Sequence, residues 1–304
     1  MVAFTHLHVH SHYSVLDGMC KINDLISKCQ ANGMNAMALT DHGAMYGIKE
    51  FVDSVKKING KLKNSLKEAK ADLSKCEDEN KKAELQKKID ELTAKEAAYI
   101  PFKAIIGVEA YCARRTLKDK DKTIKALDPE TGRESTVDRS GYHLILLAKN
   151  YTGYKNLCKL VSISWIDGFY GKPRIDKNIL SQYHEGLICC SACLGGEIPQ
   201  HIIAGNMEEA EKSVQWFKNL FGDDYYIELQ RHKTDKPNAE TSFYERQKMV
   251  NPHLVELAHK FNIKIIATND VHFVEEAHAE AHDRLICLST GSEYDDPNRM
   301  HYSK

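Results

Sequence analysis

The chain has no excess of either charge: 42 Lys and Arg stand against 43 Asp and Glu, a formal net charge of −1. Bulk charge therefore cannot hold a polyanion, and any grip on nucleic acid must be local. No uninterrupted apolar run approaches the roughly 20 residues that a membrane helix needs. Met1-Val2-Ala3-Phe4-Thr5-His6 has neither a basic nor an apolar stretch, so no secretory signal is read there. The expectation is a soluble, cytoplasmic protein with no membrane partner. G-x-G-x-x-G and G-x-x-x-x-G-K-[ST] are both absent, which weakens a dinucleotide or P-loop reading. The nine Cys are odd in number and scattered. In a reducing compartment they read as thiols or metal ligands rather than a disulfide framework.

What is present excludes disorder: 42% of residues are hydrophobic and 28% charged. A chain of 304 residues buries a real core, as about two domains or as one barrel of roughly 250 residues. One segment stands apart. From about Ile58 to Ala98 nearly every residue is Lys, Glu, Asp, Leu or Ala. Leu62, Leu66, Ala69 and Leu73 follow 4-3-4 spacing, and Leu85, Ile89 and Leu92 repeat 4-3 after the polar break Glu77-Asp78-Glu79-Asn80. This predicts an αα-hairpin with a narrow apolar seam, inserted within a larger domain over residues 1–290. Its charges are mixed in sign, so it reads as a solvated insertion, with a partner-docking arm as the alternative.

Elsewhere short apolar runs alternate with helical patterns. Strands are expected at Leu7–Val9, Ala36–Thr40, Ala104–Tyr111, His143–Ala148, Leu187–Ala192, Tyr225–Leu229 and Ile263–Thr268. Helices are expected at Ile22–Asn32 (with Gly33 as its stop), Met45–Ile58, Tyr154–Ile166, Met207–Phe221, Ser242–Phe261 and Ala277–Ser289. Strands separated by helices imply an α/β protein with a largely parallel sheet. Seven strands suit a closed or nearly closed barrel, with an open doubly wound sheet as the alternative. Lys118–Arg139, which contains Asp128-Pro129-Glu130-Thr131-Gly132, reads as a polar loop.

The chemistry concentrates in the 15 His. In His6-Leu7-His8-Val9-His10, residues two apart share a strand face, so three imidazoles are expected on one side and Leu7 and Val9 on the other. Neutral imidazole is the commonest metal ligand. Asp270 and His272 repeat the spacing after the apolar run Ile265-Ile266-Ala267-Thr268. His42, Glu109 and Cys193 sit at other strand ends, where parallel barrels gather their active sites. His143 begins its run instead of ending it, and the pattern alone does not select it.

Several motifs occur in order. They are His8-x-His10-Ser11-x-Tyr13-Ser14-x-Leu16-Asp17-Gly18, Thr40-Asp41-His42-Gly43, Gly107-Val108-Glu109 and His143-Leu144-x-Leu146-Leu147-Ala148-Lys149-Asn150. Ser191-Ala192-Cys193-Leu194-Gly195-Gly196-Glu197, Glu228-Leu229-Gln230-Arg231-His232 and Asn269-Asp270-Val271-His272 complete them. Together they resemble the PHP (polymerase and histidinol phosphatase) domain family, in the form found at the N-terminus of bacterial DNA polymerase III alpha subunits. The resemblance implies a distorted seven-stranded (β/α) barrel that holds up to three divalent ions, zinc first, manganese or iron otherwise. The ligands it implies are His8, His10, Asp17, His42, Glu109, His143, Cys193, Asp270 and His272. Asp17, Glu109 and Asp270 are the carboxylates expected to carry catalysis, with Glu109 as a bridge. His12 stands where those polymerases usually have an acid. His6 is expected near the site or in the core, and His232 is a candidate for facing substrate.

The three carboxylates and a Cys193 thiolate would bring about four negative charges against about six positive from three ions, leaving a pocket suited to a phosphodiester. The implied activity is a metal-dependent 3′–5′ exonuclease on a DNA primer end or single strand. The alternatives are a phosphomonoesterase of the histidinol-phosphatase type and a non-catalytic, metal-stabilised module. Residues 291–304 resemble the start of a linker toward a polymerase palm domain, so other alpha-subunit domains and replisome subunits are the expected partners, and nucleotide addition belongs to the parent polymerase.

Overall fold

A computed structural model describes residues 4–127, 134–234, 241–296, 299–300 and 302. Its strands are β1 (Ala36–Leu39), β2 (Lys103–Ala113), β3 (Lys125–Leu127), β4 (Glu134–Thr136), β5 (Gly141–Ala148), β6 (Arg174–Ile175), β7 (Leu187–Cys190), β8 (Tyr225–Leu229) and β9 (Lys264–Ala267). Its helices are α1 (Ile22–Ala31), α2 (Ile48–Lys75), α3 (Glu79–Ala98), α4 (Tyr151–Ile166), α5 (Lys177–Gln182), α6 (Glu197–Ile203), α7 (Met207–Phe221), α8 (Ser242–Lys260) and α9 (Ala279–Thr290).

The main sheet is seven-stranded and curled, in the order β1-β2-β5-β7-β8-β9, with β6 paired beside the end of β2. It is mixed, not largely parallel. β5 runs antiparallel to both β2 and β7, while β1 with β2, and β7 with β8 and β9, are parallel. Among the described residues no crossover α-helix lies between β2 and β5; β3 and β4 pair there as a small antiparallel unit, and β2 and β5 pair antiparallel. The expected polar loop therefore contains that hairpin. Its Asp128–Gly132 stretch lies outside the described residues.

The expected strand Leu7–Val9 is not a regular strand, yet it bridges the two edges of the sheet. On one side Ala38 N donates to His6 O (2.8 Å) and Thr40 N to Val9 O (2.9 Å). On the other, His10 N donates to Val271 O (2.8 Å) and Val271 N to His8 O (3.2 Å). A bend at His8 breaks the alternation. Leu7 packs inward with Ala38, Ile145, Leu147 and Cys190. His6 lies on the outer side, in a groove with Val9, Leu25 and Met37, and does not share a face with His8 and His10.

Alternation along the strands builds two layers. Leu144 and Leu146 of β5 face outward and pack with α4 and α7 residues such as Leu157, Leu160 and Phe217. Ile145 and Leu147 point into the curl. Met37 and Leu39 of β1 face Ile22, Ile26 and Phe51 of α1 and α2. α1 stops where expected, at Gly33 with φ +74°. α4 begins earlier than the periodicity suggests, because the Asn150 side chain accepts from Gly153 N (3.0 Å) and caps it at Tyr151.

The helix expected to end at Ile58 runs on without a break to Lys75, since nothing there stops it and Gly60 alone is tolerated in a helix. The chain turns at Asp78, whose carboxylate accepts from Asn80 N and Lys81 N to start α3. Leu66, Ala69 and Ile89, with Leu73 and Leu92, form the seam between the two helices.

Candidate metal centre

Sheet direction fixes where the site lies. The C-terminal ends of the parallel strands and the N-terminal end of β5 meet at one rim. There Glu109 and Tyr111 of β2 stand opposite Ile145 and His143 of β5. His42 follows β1 and pairs beside Glu109, Cys193 follows β7, and Asp270 and His272 follow β9.

The loop that carries His10 and Asp17 is shaped by buried Asp41. Its carboxylate accepts from Ser11 N (2.6 Å), Ser11 Oγ (2.9 Å) and Ser14 Oγ (2.8 Å). A Cβ on Gly18 would lie 2.1 Å from Ser11 O, so the loop closes only on glycine there. Three non-glycine residues in left-handed backbone sit at or beside expected ligands: Leu16 (φ 62°), Ala192 (φ 63°) and Asp270 (φ 49°). Such conformations cost about 1 kcal/mol or more and gather where a site requires them.

The structure brings all nine sequence-predicted ligands to one place. His10, Asp17, His42 and His272 form one cluster of donor atoms, His8, His10 and Asp270 a second, and His42, Glu109 and His143 a third. Cys193 Sγ lies 3.5 Å from His143 Nδ1 and 3.9 Å from Glu109 Oε1. Glu109 spans the centre: Oε1 is 3.3 Å from His8 Nε2 and 2.9 Å from His143 Nδ1, and Oε2 is 3.2 Å from His10 Nε2 and 2.8 Å from His42 Nδ1. Asp17 Oδ2 is 2.9 Å from both His42 Nε2 and His272 Nε2.

These atoms fit cations rather than one another. His8 Nε2, His10 Nε2, His42 Nδ1, Glu109 Oε2 and Asp270 Oδ1 are buried and form no hydrogen bond. They nevertheless approach within 2.8 Å (His42 to Glu109), 3.1 Å (His8 to Asp270) and 3.2 Å (His10 to Asp270). Short separations out of line for a hydrogen bond are what co-ligands show. Two donors about 2.1 Å from one ion stand roughly 3.0–3.4 Å apart, a range that the His8–Asp270 and His10–Asp270 separations meet and the His42–Glu109 separation undershoots.

In three of the histidines the Nδ1 nitrogen is tied down and Nε2 is turned toward the centre. His8 Nδ1 donates to Glu228 Oε1 (2.7 Å), His10 Nδ1 to Ser14 Oγ (3.1 Å) and His272 Nδ1 to Asp270 O (2.9 Å). At His8 and His10 this places the proton on Nδ1 and leaves Nε2, which makes no hydrogen bond, facing inward, while His272 Nε2 meets the Asp17 carboxylate at 2.9 Å. Gln230 Nε2 (3.0 Å) and Thr268 Oγ1 donate to the same Glu228 oxygen and fix it in turn.

Electrostatics express the same design. Burial alone would push the Glu109 carboxyl up, but the imidazoles of His143, His42 and His8 outweigh it and hold it well below the usual range. Burial is likewise outweighed at Asp17 by His272 and His42, and at Asp270 by His8 and His272, so both fall. In return burial lowers His42, while Glu109 and Asp17 raise it to about 9. His282, buried and beside His272, is pushed down to about 4; it stays neutral and donates to Asp17 O (2.8 Å).

Sequence reasoning gave no role to the residues that orient the expected ligands: Ser14, Asp41, Glu228 and Gln230, quoted only within motifs, and Thr268 and His282. The available signal was a buried acid ending an apolar strand, as in Tyr225–Leu229. It also missed Tyr302, whose hydroxyl lies 3.4 Å from Asp17 Oδ1 and from His272 Nε2. Arg299, paired with buried Asp283, carries that segment back onto the site. His232 is held by other contacts: its Nε2 faces Asn269 O (2.8 Å), its Nδ1 faces Gln247 Nε2 (3.1 Å), and its ring stacks on Phe243. The centre opens into a cleft of about 600 Å³ lined by Asp17, His42, His143, Cys193, Asp270 and His272 and walled by aromatic rings.

The profile of the PHP domain family covers residues 6–232, and the chain belongs to that family. Its relatives include proteins named DNA polymerase III subunit alpha. One from Borreliella burgdorferi is 39% identical over 98% of this chain, one from Treponema pallidum 36% over 99%, and one from Thermus aquaticus 33% over 98%. The chain spans about a fifth of their length, 20% in each case. A solved structure from Bifidobacterium adolescentis, described as a metal-dependent phosphoesterase, overlaps 90% of this chain and 89% of its own with a TM-score of 0.41 at 10% identity, a loose likeness from which no function is taken. Among the described residues no helix is long and apolar enough to cross a membrane.

Proposed function

We propose that this chain is the PHP module of a bacterial DNA polymerase III alpha subunit and that its metal centre hydrolyses phosphodiester bonds, acting as a 3′–5′ exonuclease on DNA. The observation that carries this reading is the set of buried donor atoms without hydrogen bonds, convergent at co-ligand spacing and opening on a cleft. Divalent ions bound there would supply Lewis acidity for the phosphoryl oxygens and the leaving alkoxide, and would activate water. Glu109 reaches three clusters with one carboxylate and so sets their spacing. Asp17 stands between His42 and His272 at the cleft and holds the outermost position. The mixed N, O and single S donor set favours zinc, with manganese or iron as alternatives. Polymerisation, the partner subunits and the chain that follows residue 291 belong, in this reading, to the longer polypeptide, and the cytoplasm is its compartment.

Asp17→Asn and Asp270→Asn conserve shape and remove the ligand charge. Each is expected to abolish release of nucleotides from a 3′-labelled single strand in zinc or manganese, with a cooperative unfolding transition retained at a lower Tm. Full activity in both variants rejects the proposal. Relative rates on single-stranded DNA and on a phosphomonoester separate the exonuclease from a phosphatase. Metal-loaded protein inert toward both would leave only a structural role.

A further inference from the structure

The cleft has a wall that the metal chemistry does not explain. Tyr46 is 57% exposed, Trp165 40% and Phe169 45%, and all three line the same cleft as the metal-facing residues. They are organised. The Trp165 and Phe169 rings stack with centroids 5.5 Å apart at 16°, and Tyr46 lies 6.2 Å from Trp165. The indole is anchored, since Trp165 Nε1 donates to Gly43 O (2.8 Å), the carbonyl next to the ligand His42. Gly43 itself is confined: its φ is +59° and a Cβ would meet Pro173 at 2.5 Å. A second path leads inward from the rim. Tyr111 stacks on His42 (5.8 Å, 17°) and carries the Lys172 ammonium over its ring at 5.1 Å. Lys172 also lines the cleft and offers a cation where a backbone phosphate would pass.

Large rings left in water are costly unless something covers them. Rings fixed by a hydrogen bond, contiguous with a phosphoester-handling centre and flanked by a lysine, suit flat unpaired bases. Stacking is tolerant of sequence because every base has a π-face, and it is worth roughly tenfold or more in affinity per base. A duplex already stacks its bases internally and gains little here. We propose that Tyr46, Trp165 and Phe169 form a stacking platform for the unpaired bases of a nucleic-acid strand whose end enters the metal cleft. This rests on the phosphodiester reading of the site and names its substrate as single-stranded.

The test is binding of fluorescein-labelled oligo(dT) to this chain, followed by anisotropy in calcium to hold hydrolysis back. Trp165→Ala is expected to weaken binding about tenfold. Trp165→Phe, which keeps a ring but loses the anchor on Gly43, should recover most of it, and Tyr46→Ala combined with Phe169→Ala should weaken binding further. The wild-type chain should prefer oligo(dT) to a blunt duplex. Equal affinity across the variants, or no binding by the wild type, overturns the platform and leaves the rings as a seat for another protein segment. Hydrolysis of bis(4-nitrophenyl) phosphate by the wild type needs no base stacking. If that fails while Trp165-dependent binding persists, the hydrolytic function falls and the platform stands.

Discussion

At the scale of single residues, the centre depends on protons placed by groups that hold no cation themselves. Asp41 accepts the Ser14 hydroxyl proton, Ser14 is then left to accept from His10 Nδ1, and His10 Nε2 is left bare toward Asp270 and Glu109. Removing the middle of that relay should be felt at the metal. Ser14→Ala keeps the backbone and deletes one oxygen, so His10 can turn or change tautomer. Losing an orienting partner of this kind costs about 10–100-fold in metal affinity. Titration with zinc against a chromophoric chelator should show that drop for Ser14→Ala with the unfolding cooperativity unchanged; affinity equal to wild type would mean His10 is held by its packing between His42 and His272 alone. Among the expected ligands, His8, His10, His42, Glu109, Cys193, Asp270 and His272 were legible as chemically marked residues in or beside apolar strand-like runs, whereas Asp17 and His143 came only with the family resemblance. Ser14 and Asp41 were not legible, since a serine or an aspartate near a loop has many ordinary uses and only the folded contacts single it out. His6 shows the opposite error: period-two spacing grouped it with His8 and His10, and a bend in one residue put it on the far side.

At the scale of elements, one reversal explains the ligand that sequence pattern could not choose. His143 lies near the start of β5, and such a position in a parallel strand lies at the wrong end of a barrel. β5 is antiparallel, so its start faces the ends of β2 and β7 and His143 reaches Glu109. Strand direction is a non-local property, and composition does not encode it. The helical hairpin is the contrary case, local and periodic, and of its expected seam Leu66, Ala69, Leu73, Ile89 and Leu92 pack together, while Leu62 and Leu85 lie outside that cluster. Its isolation has a consequence. The seam of Leu66, Ala69 and Ile89 forms its own cluster, apart from those around the sheet. Ile89→Ala removes a buried side chain there and should cost about 2–4 kcal/mol locally. Hydrogen exchange should then rise across residues 62–95, with protection of β9 and the metal affinity unaltered. Loss of protection in both regions would show that the hairpin and the barrel unfold as one unit.

At the scale of the whole molecule, the centre makes stability depend on pH in opposite senses with and without ions. In the metal-free chain protons stand in for cations. The folded-state pKa of His42 is raised to about 9, and those of His8 and His272 are raised too. A raised basic pKa contributes stability that is complete below the unfolded value, about 6.5, and is lost as pH rises through the folded value. The depressed carboxyls of Asp17, Glu109 and Asp270 contribute stability that is present above about 4.5 and lost as pH falls. The metal-free protein should therefore be steadiest between about pH 4.5 and 6.5 and should weaken toward pH 9. Metal binding needs the same imidazoles neutral and the thiol of Cys193 deprotonated, so its stabilisation grows with pH. Thermal unfolding of chelator-treated and zinc- or manganese-loaded protein at pH 6, 7 and 8 separates the two. The chelated form should lose Tm as pH rises, and the gap between the forms should widen at each step. Curves that fall in parallel would mean that the histidines and carboxylates of this rim are ion-paired with one another and that the donor set does not serve a cation.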